Sequence, residues 1–443
     1  MSKRIGLTGL MMLLLWVAGA QQKLNYVEVD KRSYELFQQK KWAELIDFAD
    51  EARAQGIDYF YLQARTGIAW YNLKKYTKST KWFLKAWESD QSFDWLQEYL
   101  YYSLVFSGRA AEASKYAENF DGALQKKIGW QRSKITRIAL EGGYSFTPDF
   151  DQLSSTAHYE QANVGENYGE AFYLKNYRFE SFDLSHQVSP GFTLNHNFTH
   201  IGVNREEQVY WGSLNKFDVK INQYQYFFNP YFVLGKKWHV SPSISLVWGN
   251  ADLALGTIKN NGARSFYSPK TAYSDFIFST SGWTSFGNIS TGAEINLANI
   301  YNKGFTQLSA WMSIYPFSST NFYIAPRVYF KSDAENGFDY NTFGISSGLK
   351  LEPVYLVGQY LKGDMKNFIE SSGYVIANFP GKSSRKFMGS AYFPIGKKMQ
   401  FVLRYINQDI TEDYRVYTGG IQSGSIEYSY TKHTLTGGIS WNF

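Results

Sequence analysis

The chain has 443 residues, no cysteine, a formal net charge of +6 and an aromatic content of 19%. The missing cysteine excludes disulfides, thiolate metal sites, cysteine nucleophiles and the lipid anchor of a lipoprotein. A mean hydropathy of −0.37 excludes a bundle of membrane helices, each of which needs about 20 consecutive apolar residues. The 35 tyrosines and 34 phenylalanines instead favour strands with one half-exposed face.

Residues 1–20 have the pattern of a secretory signal peptide. Lys3 and Arg4 precede an apolar run from Ile5 to Val17, and Ala18-Gly19-Ala20 supplies small residues for cleavage. The run is shorter than the about 20 residues that a membrane span requires, which favours cleavage over a permanent anchor. Without Lys3 and Arg4 the net charge falls from +6 to +4 (6 minus 2). The remaining sequence has no Lys/Arg-rich tract and indicates no nucleic-acid partner.

Residues 21–130 show apolar positions at helical spacing and an internal repeat. Trp42, Tyr76 and Ala110 align at one offset, because 76 minus 42 and 110 minus 76 both equal 34. A 34-residue unit of two helices is typical of tetratricopeptide (TPR) repeats. The middle unit resembles that family most, at the packing positions Gly67, Trp70, Phe83 and Ala86. The resemblance implies a stack that docks a partner protein, with a helical spacer as the alternative.

From Lys134 to the last residue the apolar pattern has a period of two. Ser241, Ser243 and Ser245 share one face of a segment whose other face carries Ile244 and Leu246. Such runs approach the about 10 residues that a tilted strand needs to cross an outer membrane, whereas strands of soluble sandwiches usually have about five or six. The pattern therefore favours a membrane barrel.

Short turns alternate with longer polar connections along this segment. The predicted short turns lie at 189–191, 235–237, 287–288, 318–321, 352–353 and 396–398. The predicted outer connections lie at 147–170, 204–218, 250–272, 302–304, 331–341, 363–384 and 408–425. This asymmetry is typical of outer-membrane barrels, which have periplasmic turns and extracellular loops. An impermeant label on intact cells is expected to reach a cysteine at Asn260 or Ser372, and to miss one at Lys236 or Lys397.

The sequence therefore predicts a mostly β fold: a transmembrane antiparallel β-barrel of about 14 strands over residues 131–443, preceded by a periplasmic TPR-like domain over 21–130. The chain ends in a segment that resembles the insertion signal of Gram-negative barrels, with one face formed by Leu435, Ile439, Trp441 and Phe443. The predicted location is the outer membrane, and the predicted partners include its lipids and the insertion machinery.

Strand parity assigns two sets of side chains to the lumen. The charged set is Arg137, Glu141, Arg178, Glu180, Glu294, Arg327, Lys331, Lys350, Lys386 and Arg404. These charges either pair across the barrel or tune the selectivity of a passage. The aromatic set contains Trp311, Tyr315, Tyr323 and Tyr329. These rings either stack sugar rings or fill the lumen.

The sequence indicates no catalytic residue, metal site or cofactor. His196 and His200 share a strand face with Phe198, which we assign to lipid, so they make an implausible metal pair. In the first long connection, Asp149, Asp151, His158 and Glu160 match no spacing of a barrel enzyme family. The default interpretation of these loop charges is a solvated surface, and the chain is not predicted to be an enzyme.

The order of signal peptide, TPR-like repeats and barrel resembles two groups, the YaiO-type outer-membrane barrels and the exopolysaccharide exporters. The exporters carry many more repeats than the three units here. The resemblance implies an outer-membrane protein whose periplasmic repeats dock a protein partner, in a system that exports or modifies a surface polysaccharide. A general solute channel is the alternative, and a barrel enzyme is the less favoured one.

Overall fold

The computed structural model describes residues 23–131, 134–235, 237–260, 264–333 and 337–443. The predicted signal peptide, residues 1–20, and Lys236 lie outside the described residues. The chain divides into two compact units, a helical unit that ends at Ser107 and a barrel unit that begins at Gly108. Each unit has its own architecture.

The helical unit contains five described helices with a regular spacing. They are α1 (Tyr26–Gln38), α2 (Trp42–Ala54), α3 (Phe60–Asn72), α4 (Tyr76–Ser89) and α5 (Asp94–Phe106). Odd-numbered helices begin at residues 26, 60 and 94, and α2 and α4 begin at 42 and 76, so that every repeat distance is 34 residues. The period seen in the sequence is therefore a period of helix starts. No described helix is long and apolar enough to cross a membrane.

Close packing between α3 and α4 explains the small residue at position 67. The Phe83 ring is fully buried, and a Cβ atom at Gly67 would lie 2.7 Å from it. Ser79 Oγ also donates a hydrogen bond to the carbonyl of Gly67 at 3.0 Å. Ala86 is fully buried as well. The remaining predicted positions are half-buried side chains, namely Trp42, Trp70 and Tyr76.

The barrel unit begins with two short helices, α6 (Ala110–Ala117) and α7 (Gly122–Ile128), and two more, α8 (Phe150–Ser155) and α9 (His158–Gln161), follow its first strand. Its described strands are β1 (Ile135–Phe146), β2 (Tyr168–Ser189), β3 (Phe192–Tyr210), β4 (Leu214–Leu234), β5 (Trp238–Asp252), β6 (Leu255–Ile258), β7 (Arg264–Tyr267), β8 (Lys270–Phe286), β9 (Ile289–Ile300), β10 (Lys303–Ile314), β11 (Phe322–Asp333), β12 (Gly337–Leu351), β13 (Val354–Gly363), β14 (Phe368–Glu370), β15 (Val375–Ala377), β16 (Lys382–Ile395), β17 (Met399–Thr418) and β18 (Ile421–Asn442).

Fourteen of these strands form one closed antiparallel barrel, and β6–β7 and β14–β15 form two small separate hairpins. The barrel closes where β1 pairs with β18, from Arg137 opposite Asn442 to Phe146 opposite His433. The predicted fold class and the predicted strand number are confirmed.

The outer face of the barrel is an apolar belt. Alternate residues along each strand are exposed and hydrophobic, among them Leu140, Phe182, Phe198, Leu246 and Leu403. In the last strand the same face carries Leu435, Ile439 and Trp441, and Phe443 follows it. A closed barrel with such a belt satisfies its backbone internally and can face lipid all round.

Three predicted loops, 204–218, 331–341 and 408–425, are wrong, because the flanking strands continue through most of their described residues. β2 and β18 each have 22 residues, about twice the length that crosses an outer membrane. Beyond the apolar belt the outward face of a strand no longer meets lipid, so its apolar alternation ends while backbone pairing continues. Pairing of β17 with β18 runs on to Thr418 opposite Ile421, and the turn needs only Gly419 and Gly420, both with positive φ.

All six predicted short turns connect neighbouring strands at one end of the barrel, which we call the turn end. The opposite end, the loop end, carries α8 and α9 beside a buried aromatic cluster that includes Tyr173, Tyr414 and Tyr428. There β2 also pairs with β17, from Glu170 opposite Arg415 to Tyr168 opposite Tyr417. This added pairing ties together two strands that β18 and β1 separate elsewhere.

Helix α6 is attached to the barrel wall near the turn that joins β4 and β5. Lys115 Nζ donates to the carbonyl oxygens of Val233 and Gly235, both at 2.8 Å. The fully buried Glu112 carboxylate accepts from Arg109 and, at 3.0 Å, from His239 Nε2. Burial alone raises the pKa of Glu112, but these two donors outweigh it and hold that pKa below its usual value.

Candidate functional site in the barrel lumen

The connection between β13 and β16, residues 364–381, is folded into the barrel. We call it the lumen segment; it contains β14, a single 3-10 turn (Ser371–Gly373) and β15. Ser372 Oγ donates to Glu294 Oε2 of β9 at 2.9 Å. The expectation that Ser372 lies on an extracellular loop is therefore wrong. The segment carries apolar residues such as Ile369, which is fully buried and whose burial inside the barrel offsets the cost of ordering the chain.

One side of the lumen segment is held by β10. Gln307 Nε2 donates to the carbonyl of Ile369 at 2.6 Å, and Gln307 Oε1 accepts from the amide of Ile369 at 3.2 Å. The Gln307 side chain thus imitates a neighbouring strand. Phe368 packs on the Tyr329 ring of β11 with centroids 4.7 Å apart, so the segment also has an apolar contact.

The 3-10 turn rests on inward-facing serines of β5. Ser243 Oγ donates to the carbonyl of Ser372, and Ser245 Oγ to that of Gly373, both at 2.6 Å. Gly373 has a φ of +87°, and a Cβ atom there would lie 2.8 Å from Ser245 Oγ. Glycine is therefore required by both backbone conformation and space.

Beyond the turn, the lumen segment reaches the opposite wall. Tyr374 OH donates to Asp183 Oδ1 of β2 at 3.1 Å. Asn378 Nδ2 donates to Gln223 Oε1 of β4 at 2.8 Å. Before the turn, Glu370 accepts from Lys386 Nζ of β16 at 2.5 Å. The segment consequently bridges strands on several sides of the barrel.

A cavity of about 300 Å³ remains in the lumen beside this segment. Its walls come from the lumen segment and from inward residues of β1–β4, β8 and β16–β18. Much of the lining is aromatic or aliphatic, for example Leu174, Tyr177, Phe179, Ile201, Phe379 and Ile410. Concave, mostly apolar spaces of this size with a few polar groups are characteristic of small-molecule sites.

All but one of the charged groups that line the cavity are paired. The pairs are Arg205 with Glu412, Lys386 with Glu370, and Arg404 with Glu141. The first is bidentate, with both nitrogen–oxygen distances 3.0 Å, and it crosses from β3 to β17. Pairing of this kind neutralises buried charge at the cost of desolvation.

Lys432 of β18 is the exception. It lines the cavity and is 7% exposed. Across the described ranges no acceptor or carboxylate lies within hydrogen-bond or ion-pair distance of its ammonium group. Its Nζ lies 5.3 Å and 5.2 Å from the ring centroids of Tyr177 and Phe379, respectively. The cavity thus combines aromatic walls with one cation that has no counter-ion among the described residues.

Several predicted lumen charges do face inward. Glu294 pairs with Arg327 at 3.1 Å, Lys350 pairs with Glu352 at 2.7 Å near the turn end, and Lys331 Nζ donates to the carbonyl of Lys366 in the lumen segment. Arg137 has the parity of Glu141, whose pairing with Arg404 was described above. The Glu294–Arg327 pair crosses strands and the Lys331 contact holds the lumen segment, whereas Lys350 pairs with the turn that follows its own strand.

Arg178 and Glu180 were wrongly assigned to the lumen. Their neighbours Tyr177, Phe179 and Ser181 line the cavity, so the two charges face outward, and Glu180 contacts His200 at 3.0 Å on that outer side. β2 is 22 residues long. Its outward positions between Phe182 and the loop end, which include Arg178 and Glu180, therefore lie outside the apolar belt.

The four aromatic residues of the predicted lane all have inward parity, but they do not form an open surface. Tyr329 is only 2% exposed because Phe368 covers it. The Arg327 guanidinium lies 4.6 Å from the Trp311 ring centroid. Tyr315 and Tyr323 contact each other with centroids 6.2 Å apart. Within the described residues these rings fill the lumen and support the charges there.

Sequence reasoning missed the lumen segment, Gln307 and Lys432. One signal was available: Ser241, Ser243 and Ser245 place three small polar side chains on the inward face of one strand. Small inward residues on a barrel strand leave room that something else must fill. Nothing in the local sequence shows which segment fills it.

A closed antiparallel barrel with an even strand number and an apolar belt defines an outer-membrane β-barrel protein. No family model and no curated protein matches this sequence. Among solved structures, the chain is similar to the Pseudomonas putida toluene transporter TodX, with 9% identity over 74% of this chain and 94% of that one and a TM-score of 0.46.

A Pseudomonas aeruginosa FadL homologue matches with 7% identity, 70% and 90% coverage and a TM-score of 0.43. A bacterial polysaccharide outer-membrane secretin matches with 8% identity, 69% and 98% coverage and a TM-score of 0.34. At these values the likeness concerns the barrel architecture alone.

Proposed function

We propose that this outer-membrane barrel is a selective channel for small solutes, closed at rest by its lumen segment. The observation that supports this most is the position of residues 364–381 inside the barrel, hydrogen-bonded to side chains of β5, β9 and β10. A general porin keeps a water-filled lumen. A barrel filled by its own chain excludes bulk solute and conducts only when the lumen segment moves away from its binding partners.

The size of the remaining space favours a small molecule over a polymer. The cavity has a volume of about 300 Å³, which is at the lower limit of ordinary ligand sites. A polysaccharide chain would need the segment and the buried Arg205–Glu412 pair, which crosses from β3 to β17, to separate together. The solute-channel alternative therefore has more support than polysaccharide export.

Single-channel recording in planar bilayers tests the proposal. We expect the wild-type protein to show little steady conductance. Replacing residues 366–379 by a short glycine–serine linker should raise the conductance at least about tenfold, since the lumen would then be water-filled as in a porin. Shortening the β6–β7 hairpin, which lies outside the main sheet, is the control and should change little. Equal conductance in all three proteins would contradict a closing role for the segment.

For the helical unit we propose the docking role that TPR-like repeats would supply. Its support is the 34-residue spacing of helix starts, which is the period of such repeats. The partner would be a periplasmic protein that delivers or receives the solute. Photo-crosslinking in living cells from exposed positions such as Tyr34 and Tyr61 tests this role. Absence of any specific crosslinked protein would leave the unit as a spacer.

A further inference from the structure

The lumen cavity has a net positive charge that the described residues do not balance. Arg205, Lys386 and Arg404 each have a carboxylate partner, so these lining groups sum to zero. Lys432 adds one positive charge without a described partner, on a side chain that is more than nine-tenths buried. A buried ammonium group without a counter-ion is costly. An anion that enters the cavity would supply the missing negative charge.

The surroundings of Lys432 define the chemistry of a matching ligand. The rings of Tyr177 and Phe379 both lie near its ammonium group, and Ile410 and Leu174 line the same space. An occupant must therefore present one anionic group at Lys432 and an apolar body to the rings and aliphatic side chains. A hydrated inorganic anion would leave the apolar walls wet, and a neutral hydrocarbon would leave the ammonium unpaired.

We infer that the cavity is a binding site for a small amphiphilic carboxylate, with Lys432 as its charge anchor. The inference rests on the proposed function in treating this carboxylate as the solute that the channel admits. The lumen segment forms part of the same site, because Tyr374, Ile376 and Phe379 line the cavity. Entry of the ligand thus places it directly against the element that closes the barrel.

Ligand binding by the full-length protein in detergent, measured by calorimetry, tests the site with 4-phenylbutyrate as probe. Its neutral isostere, 4-phenylbutan-1-ol, has a similar apolar body without the charge. We expect the acid to bind at least about tenfold more tightly than the alcohol, since a hydrogen bond to a charged group contributes that much or more. Equal affinities would overturn the inference without any substitution.

Variants sharpen the same test. Lys432→Met should lose the acid–alcohol difference, and Lys432→Arg should keep most of it because it retains a cation. Lys382→Met is the matched control, since Lys382 pairs with Glu427 at 3.1 Å on an exposed surface. Heat-modifiable migration on gels shows that each variant has assembled. Unchanged acid binding in an assembled Lys432→Met protein would overturn the inference.

The outcomes separate this inference from the channel proposal. Binding is read without conductance, so selective binding of the acid in a protein whose conductance ignores the lumen segment would retain the site and refute the channel. A conductance that depends on the segment, with no preference for the acid, would retain the channel and refute the site.

Discussion

The two walls of the barrel lumen are built differently. On the wall formed by β5 and β8–β10, the inward residues beside the 3-10 turn are small and polar, such as Ser243, Ser245 and Ser279, and the protein fills the space with its own chain. On the wall formed by β2, β3 and β17, the inward residues are larger and more apolar, such as Tyr177 and Ile201, yet a cavity remains. The smaller side chains thus border the filled half.

The two walls divide the lumen into two halves. Serine hydroxyls and the Gln307 amide satisfy the backbone of the lumen segment, so the filled half carries its own hydrogen-bond partners. The opposite half has apolar walls and Lys432, for which the described residues supply no counter-ion. One half is structural, and the other is suited to a ligand.

The largest change in conductance is expected from a substitution at Gly373, where the lumen segment packs most tightly against β5. Gly373→Val places a branched side chain at a φ of +87°, with its Cβ 2.8 Å from Ser245 Oγ. We expect the segment to leave the serine wall and the single-channel conductance to rise several-fold toward the value of the segment-deleted protein. A branched residue at such a φ is a strained conformation that costs of order 1–3 kcal/mol.

Gly424→Val is the matched control. Gly424 lies in β18 with a φ that is not positive, and a Cβ atom added there would meet nothing within 4 Å, so the conductance of this variant should stay that of the wild type. A Gly373→Val protein that conducts no more than the Gly424→Val protein would show that the serine wall does not hold the segment in place.

A second prediction concerns the buried ion pair that links β3 and β17 beside the cavity. Arg205→Met leaves the buried Glu412 carboxylate without its cation, with only Tyr430 OH at 2.7 Å and Tyr428 OH at 3.5 Å still donating to it among the described residues. Breaking a buried pair from one side costs about 3–5 kcal/mol. We expect the folded barrel band on unheated gels to be lost at a clearly lower temperature than in the wild type.

The control for this prediction is another bidentate pair at the surface. Arg385 donates to Asp409 at 2.7 Å and 2.9 Å, but both side chains are solvent-exposed, where ion pairs contribute little. Arg385→Met should leave the transition temperature nearly unchanged. Equal shifts for the two variants would indicate that the cross-lumen pair has no special part in holding the barrel.

The sequence predicted the wall of the barrel better than its contents. Strand alternation and turn residues are local signals, so the six short turns and the 14 strands followed directly from the chain. The 34-residue offset of Trp42 and Tyr76 likewise marked two helix starts. Each of these features depends on residues that are close in sequence.

The contents of the lumen depend on residues that are far apart in sequence. Gln307 and Ile369 are separated by 62 residues, and Ser243 and Ser372 by 129. No local sequence pattern indicates such a long-range contact. The assignment of Arg178 and Glu180 to the lumen was wrong for a related reason. The point at which β2 leaves the apolar belt depends on the neighbouring strands, which are distant in sequence. Lys432 gives no local signal, since its meaning depends on the rings and aliphatic side chains around it.

The wide spread of the lumen segment's partners also sets an order of assembly. Its donors and acceptors belong to β2, β4, β5, β9, β10 and β16, so they surround a common space only after those strands have found their places. Contacts of such long sequence separation form late. We therefore expect an assembly intermediate in which the barrel is closed but the lumen segment has not yet docked. In this state the newly inserted protein should conduct ions, and the conductance should fall once the segment has bound its partners.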